Sequence, residues 1–265
     1  MKVNHITYTI VLLALLSSCS REETAPEILI NTINAIDTIE TICYKQDMTR
    51  SNPRDPDDTI FSYREMYFQR LVTDSIVGVK GHWYMYDNTK REVIYEDIYD
   101  GCRLIRRNNK DSLARIYDLQ EFPEFKSRHF WSHKTPYGMQ FEFKYILGKP
   151  GPYTIDRLHD TIIDKRACYQ VCIRLEDNFS MPGFAIRPEY SEGSISYTTY
   201  YVDMETYYPI GMKGVSYSVQ NPGEKSFIEQ RYYDINFNTW IDEQAMFDTS
   251  EESVTGFEIL EIKPD

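Results

Sequence analysis

Residues 78–119 read GVKGHWYMYDNTKREVIYEDIYDGCRLIRRNNKDSLARIYDL. Aromatic and branched residues fall in short runs, Gly78–Asp87, Glu92–Asp97, Cys102–Arg107 and Leu113–Leu119. Between the runs stand Asp87-Asn88-Thr89, Asp100-Gly101 and Asn108-Asn109, which are turn formers. Strands joined by such tight turns pair antiparallel, because a parallel pair needs a crossover of a dozen or more residues. Working outward, Thr59–Val72 reads as a strand after a turn-rich loop over 51–58 and an earlier strand over Thr38–Met48. Downstream, strands are expected at 138–147, 153–163, 167–176, 195–203, 210–219 and 225–237. Pro150-Gly151-Pro152, Met181-Pro182-Gly183 and Asn221-Pro222-Gly223 break them, and Asp177–Gly193 is the long loop. Thr24-Ala25-Pro26-Glu27 is a capping box, and Leu29, Ile33 and Ile36 continue it as a helix over 25–37. A short second helix is expected over Glu124–Lys134. The fold class expected is mainly β (α+β): an incomplete antiparallel barrel of about ten to eleven strands with both helices on its concave side.

The composition agrees with that class. The chain has 265 residues with 22 Tyr and 13 Phe, a supply of aromatics suited to half-wet pleated surfaces. Its net charge of −12 argues against a nucleic-acid partner, which needs a basic face.

The first residues carry an address. Lys2 precedes an apolar run from Ile6 to Leu16, too short for the ~20 residues that span a bilayer but right for a secretory signal. Leu16-Ser17-Ser18-Cys19 resembles the lipobox of bacterial lipoproteins. That likeness implies a signal peptide over 1–18, lipidation of Cys19 with palmitate among its acyl chains, and a membrane partner reached through that anchor. Ser20-Arg21-Glu22-Glu23 is similar to the acidic export signal of Bacteroidetes surface lipoproteins. The expected organisation is an acidic tether over 19–23, a domain over 24–248 and an acidic tail over 249–265.

Four further cysteines remain, Cys43, Cys102, Cys168 and Cys172. Cys168 and Cys172 lie four apart on one expected strand, roughly 13 Å, beyond the about 7 Å that a disulfide allows. A Cys43–Cys102 bridge stays open. His129 and His133 share a helical face, but no Glu stands between them as in zinc hydrolases. Asp156, His159 and Asp160 read as solvated loop residues. No Gly-x-Ser-x-Gly, phosphate loop or dinucleotide fingerprint occurs, so neither an enzyme nor a cofactor is expected.

Three segments carry a resemblance. Ile98-Tyr99-Asp100-Gly101-Cys102-Arg103-Leu104 followed by Ile116-Tyr117-Asp118 is similar to hairpins of the LolA/LolB lipoprotein carriers. Tyr201-Val202-Asp203-Met204-Glu205-Thr206-Tyr207-Tyr208-Pro209-Ile210 resembles their Asp-x-x-Thr-x-x-x-Pro hairpin. Tyr233 to Asp242, with Phe247, resembles their closing strand. The likeness leans toward a Bacteroidetes variant that stands before a thioredoxin-like domain in TlpA-like proteins; that redox domain is not expected here. The resemblance implies acyl chains held between sheet and helices, in an outer-membrane lipoprotein facing the periplasm or the cell surface. Carriers of this family keep an arginine that holds a lid, a role not transferred to Arg70.

Such binding needs a dry apolar trough. The strand aromatics expected to line it are Phe61, Tyr63, Tyr67, Trp83, Met85, Phe141 and Phe143. The function expected is therefore non-covalent binding of an acyl chain or a lipidated protein. The rival is a scaffold lipoprotein whose interior is filled.

Overall fold

The computed structural model describes residues 22–263 apart from 53–54, 75–76, 88, 124–134, 152, 177–193 and 220–224. Cys19, the expected helix over 124–134 with His129 and His133, and the loop over 177–193 lie outside the described residues. The strands are β1 (Thr41–Asn52), β2 (Asp55–Arg70), β3 (Val79–Tyr86), β4 (Val93–Tyr99), β5 (Arg103–Asn108), β6 (Leu113–Asp118), β7 (Tyr153–Arg157), β8 (Thr161–Ile163), β9 (Arg166–Glu176), β10 (Ser194–Asp203), β11 (Pro209–Ser218), β12 (Lys225–Phe237) and β13 (Glu258–Ile262). They form one open, curved sheet in the order β13-β6-β5-β4-β3-β2-β1-β12-β11-β10-β9-β7, with β8 beside β9. The pairs are antiparallel except β13, which runs parallel to β6.

Turn chemistry makes the meander. Asp100 Oδ1 accepts from the Cys102 and Arg103 amides at 2.7 and 2.8 Å, and Gly101 sits at φ 107°. That φ is why the turn takes glycine, and a Cβ there would also press Leu71 Cδ2 at 2.5 Å. Asp203 Oδ1 accepts from the Glu205 and Thr206 amides and the Thr206 hydroxyl at 2.8 to 3.0 Å. These Asp side chains stand in for backbone acceptors and set the hairpins.

Helix α1 (Ala25–Asp37) begins on the expected capping box, with the Thr24 amide donating to Glu27 Oε2 at 2.8 Å. Its buried stripe is Ile28, Leu29, Thr32 and Ile36. The stretch expected as a strand over 138–147 is instead helix α2 (Pro136–Gly148). Met139-Gln140-Phe141-Glu142-Phe143 alternates apolar and polar with a period of two, which mimics a strand. The helix buries polar residues too. Gln140 donates to Ile33 O of α1 at 2.9 Å, and Glu142 is 1% exposed, so no clean helical stripe shows in the sequence. The local signals were helical: Thr135 caps through its hydroxyl to the Gly138 amide, and Pro136 opens the first turn.

Both helices pack on one face of the sheet. Antiparallel partners share a face, so the register defines that inner face. Ile42, Phe68, Gly81, Tyr99, Leu104 and Tyr117 form one row across β1 to β6. Ile42, Phe68, Tyr99, Leu104 and Tyr117 of this row join Leu29, Ile36, Met139 and Phe143 in a single buried core. Arg70 closes the end of α1, donating Nη2 to Ile36 O at 2.7 Å and Nε to Ile39 O at 3.0 Å. Its guanidinium also lies over the Tyr137 ring of α2, so one cation ties strand, helix end and second helix.

Residues after Asp248, expected as an acidic tail, cross the outer face and end as β13. Val254 and Phe257 pack on Ile105, Ala114 and Ile116. A short helix α3 (Glu243–Met246) precedes this crossing. His82 Nδ1 donates to Met246 O at 2.6 Å and its Nε2 meets Glu96 Oε1 at 2.7 Å. Glu96 also accepts from Arg107 Nη1 at 2.8 Å, and Arg107 donates to Ser253 O. The stretch expected as one strand over 153–163 is two, β7 and β8, split where Arg157 grips Asp160 at 2.9 Å.

Burial pushes the Glu96 carboxyl up, but the His82 hydrogen bond and the Arg107 charge outweigh it, and its pKa lies below the usual 4.5. A depressed carboxyl stabilises the fold above its unfolded pKa, and that contribution fades as pH falls through the folded value. Glu96→Gln is expected to cost about 1–3 kcal/mol at pH 7 and progressively less from pH 4.5 downward, read by urea unfolding at each pH. An equal difference at pH 7 and pH 3 would refute an ionised role for Glu96.

Candidate functional site

The seven expected trough residues do not gather at one place; of them, Trp83 and Met85 share a pocket. Register puts Tyr63 and Tyr67 opposite Tyr86 and His82 on the outer face, with Phe61, 63% exposed, in the same alternation. Tyr63 meets Tyr86 at a tilt of 52° with ring centres 5.0 Å apart, and Tyr67 meets Tyr84 edge-on at 6.1 Å. Trp83 and Met85 lie on the inner face. Phe143 is wholly buried in the core against Tyr200, at 4.8 Å and 90°, whereas Phe141 is 39% exposed on α2.

Beneath the helices the inner face is solidly filled. Further along the strands it opens into a pocket of about 270 Å³. Its lining is Arg64, Trp83, Met85, Tyr95, Asp97, Arg106 and Arg115. Two register rows supply all seven. One runs Met66–Trp83–Asp97–Arg106–Arg115 and the next Arg64–Met85–Tyr95. Trp83, 4% exposed, is the apolar wall nearest the core, and its ring lies 6.3 Å from that of Phe68. Gly81 permits that approach, since a Cβ there would meet Phe68 Cε1 and Trp83 Cζ3 at 3.0 Å each.

The adjoining wall is ionic. Asp97, 4% exposed, takes Arg106 in a forked pair, Nη2 to Oδ2 at 2.6 Å and Nε to Oδ1 at 2.9 Å. Burial alone lowers the Arg106 pKa, but its Asp97 hydrogen bonds and charge more than restore it. Burial depresses the Arg64 pKa, and Asp97 only partly compensates because Arg50 and Arg106 oppose it. The arrangement can hold an apolar group against Trp83, Met85 and Tyr95, with charge at one side. A larger groove of 580 Å³ at the β6–β13 edge is lined by Arg103, Asp118, Glu121 and Glu251 among others, a wetter setting.

No three His, Cys, Asp or Glu side chains gather as metal ligands among the described residues. Asp160 is held by Arg157, and Asp156 accepts from the Thr154 hydroxyl. Cys43, Cys102, Cys168 and Cys172 are free thiols, and burial pushes those of Cys168 and Cys172 up. No helix among the described residues is long and apolar enough to cross a membrane.

The sequence matches no family profile and no curated relative. Solved structures do resemble the fold. The Mycobacterium tuberculosis lipoprotein LppX shares 8% identity over 82% of this chain and 98% of its own, with a TM-score of 0.48. A LolA superfamily protein from Nitrosomonas europaea shares 11% over 86% of this chain and 99% of its own, at 0.37. LprF from Mycobacterium bovis shares 11% over 82% of this chain and 95% of its own, also at 0.37. Likeness at this level carries no functional argument, so the chemistry rests on this chain's own residues.

Arg64, Tyr95, Asp97, Arg106 and Arg115 were not among the residues expected from the sequence. The signal available was alternation: Arg64-x-Met66-x-Phe68 and Tyr95-x-Asp97-x-Tyr99 each place a charge in step with core residues. Gly81→Ala is expected to lower stability by about 1–3 kcal/mol through overpacking and to shift the emission of Trp83. An unchanged urea midpoint with unchanged emission would show that the two rings are not seated against Gly81.

Proposed function

We propose that this protein is a cell-envelope lipoprotein, anchored through Cys19, that binds an acyl chain or lipidated protein reversibly and without covalent chemistry. The observation that carries the reading is the inner-face pocket, whose apolar side is Trp83, Met85 and Tyr95. Burying apolar area there contributes about 25 cal/mol per Å². A volume near 270 Å³ falls just below the range of ~300–1,000 Å³ typical of small-molecule sites, enough for part of a chain.

The start of the folded body supports the anchoring. The Glu23 carboxylate accepts from Tyr207 Oη at 2.9 Å, Asn31 Nδ2 at 2.8 Å and Tyr169 Oη, and Arg157 Nη1 donates to Glu23 O at 2.8 Å. Cys19 stands four residues earlier, a span of at most ~14 Å. Acyl chains on that cysteine would hold this rim of the sheet close to the headgroups, in an outer membrane on either face. Ser20-Arg21-Glu22-Glu23 favours the Bacteroidetes export reading.

The second reading is a scaffold lipoprotein with a filled interior. It is favoured by the core beneath the helices, where Leu29, Ile36, Phe143 and Tyr200 have no exposure at all.

Cys19→Ser is expected to abolish incorporation of labelled palmitate and to move the protein out of the outer-membrane fraction; persistent labelling would overturn the anchor. For binding, a chain starting at Ser20 keeps every described element. It should enhance the fluorescence of N-phenylnaphthylamine, and palmitate should displace the dye. Trp83→Ala should weaken dye binding at least fivefold and Phe61→Ala less than twofold. Absence of dye binding and of palmitate binding by native mass spectrometry would favour the scaffold.

A further inference from the structure

The pocket has a charge imbalance that a site for plain hydrocarbon does not require. The protein carries a net charge of −12, yet the described lining of this pocket holds three guanidiniums, Arg64, Arg106 and Arg115, and one carboxylate, Asp97. Asp97 is already committed to Arg106 through two of its N–H groups. Arg115 stands beside Arg106 in the register and makes no ion pair among the described residues. Glu258 lies at the sheet edge opposite Leu113 and makes no ion pair with Arg115 among the described residues. On the other flank Arg50, whose Nε is buried without a hydrogen bond, adds its field to that of Arg64.

Guanidiniums gathered in a partly desolvated place repel one another unless an anion joins them. A forked guanidinium suits a carboxylate or phosphate, because two parallel N–H groups match two oxygens. Trp83, Met85 and Tyr95 stand on the adjoining positions of the same two rows. Anion receptors and apolar wall are therefore contiguous, and the volume admits a head with the first part of a chain rather than a whole lipid.

We propose that the pocket is a subsite for the head of an anionic single-chain amphiphile, with its carboxylate or phosphate on Arg115 and Arg106 and its first methylenes against Trp83, Met85 and Tyr95. This rests on the acyl-binding reading above and names the chemical class of its ligand. The anion could come from a fatty acid or from a monoacyl phosphate; both present two oxygens to a guanidinium and differ in charge.

The test is displacement of N-phenylnaphthylamine, an uncharged dye, from the chain starting at Ser20. The competitors are palmitate, hexadecyl phosphate and hexadecanol, each below its aggregation limit. Palmitate or hexadecyl phosphate should displace the dye at a concentration at least tenfold lower than hexadecanol, and the stronger of the two identifies the head. Arg115→Gln should weaken palmitate and hexadecyl phosphate far more than hexadecanol and so erase most of that preference, and Arg115→Lys should restore part of it. Arg103→Gln, exposed on the outer face, should change nothing. Thermal midpoints within 2 °C of the parent would show that the variants fold. Equal potency of alcohol and acid, or an Arg115→Gln variant with the full preference, would overturn the anion subsite and leave acyl binding standing. Failure of all three competitors and the dye to bind would overturn both.

Discussion

Among the described residues, two helices of thirteen residues cover the inner face of a thirteen-stranded sheet, and those two cannot reach all of it. Each is about 20 Å long and about 10 Å across, whereas twelve strands side by side extend roughly 53 Å. Where the helices lie, the face is packed without gaps and its residues are large and apolar. Beyond their reach the same strands keep pointing side chains inward, and those positions take charged groups and a pocket. The site lies where the two described helices end on the sheet.

That position explains why Arg64, Asp97 and Arg106 can be buried at all. An isolated charge inside a packed core costs several kcal/mol, which only a well-formed pair and nearby solvent offset. Here Asp97 and Arg106 satisfy each other in a fork, and the pocket admits water or a ligand to the rest. Arg70 shows the other solution. It sits where a helix ends, and the carbonyls of Ile36 and Ile39 give it partners that α1 cannot use itself.

The fold was legible wherever the information is local. Asp100-Gly101, Asp203 with Thr206, and the Thr24 capping box each make their turn or helix end from contacts within a few residues. Helix α2 was not legible, because Gln140 and Glu142 are buried by α1 and Tyr200 rather than by any rule within 136–148. The stretch after Asp248 was not legible either. Its composition is acidic, yet Val254 and Phe257 find an apolar patch of β5 and β6 on the outer face, some 140 residues away in the chain.

The candidate site divides along the same line. From the sequence alone came the antiparallel class, the hairpin positions, the lipobox reading at Cys19 and the choice of Trp83 and Met85 as partners on one face. Alternation with a period of two says which residues share a face, but not which face is buried. Phe61, Tyr63 and Tyr67 form as good an apolar series as Arg64, Met66 and Phe68, and nothing within β2 decides between them. The tertiary structure decided it by seating α1 and α2 on one side, which turned a tyrosine-rich series outward and brought arginines from three strands to one pocket. That choice rests on long-range packing, the one interaction that no short stretch of sequence contains.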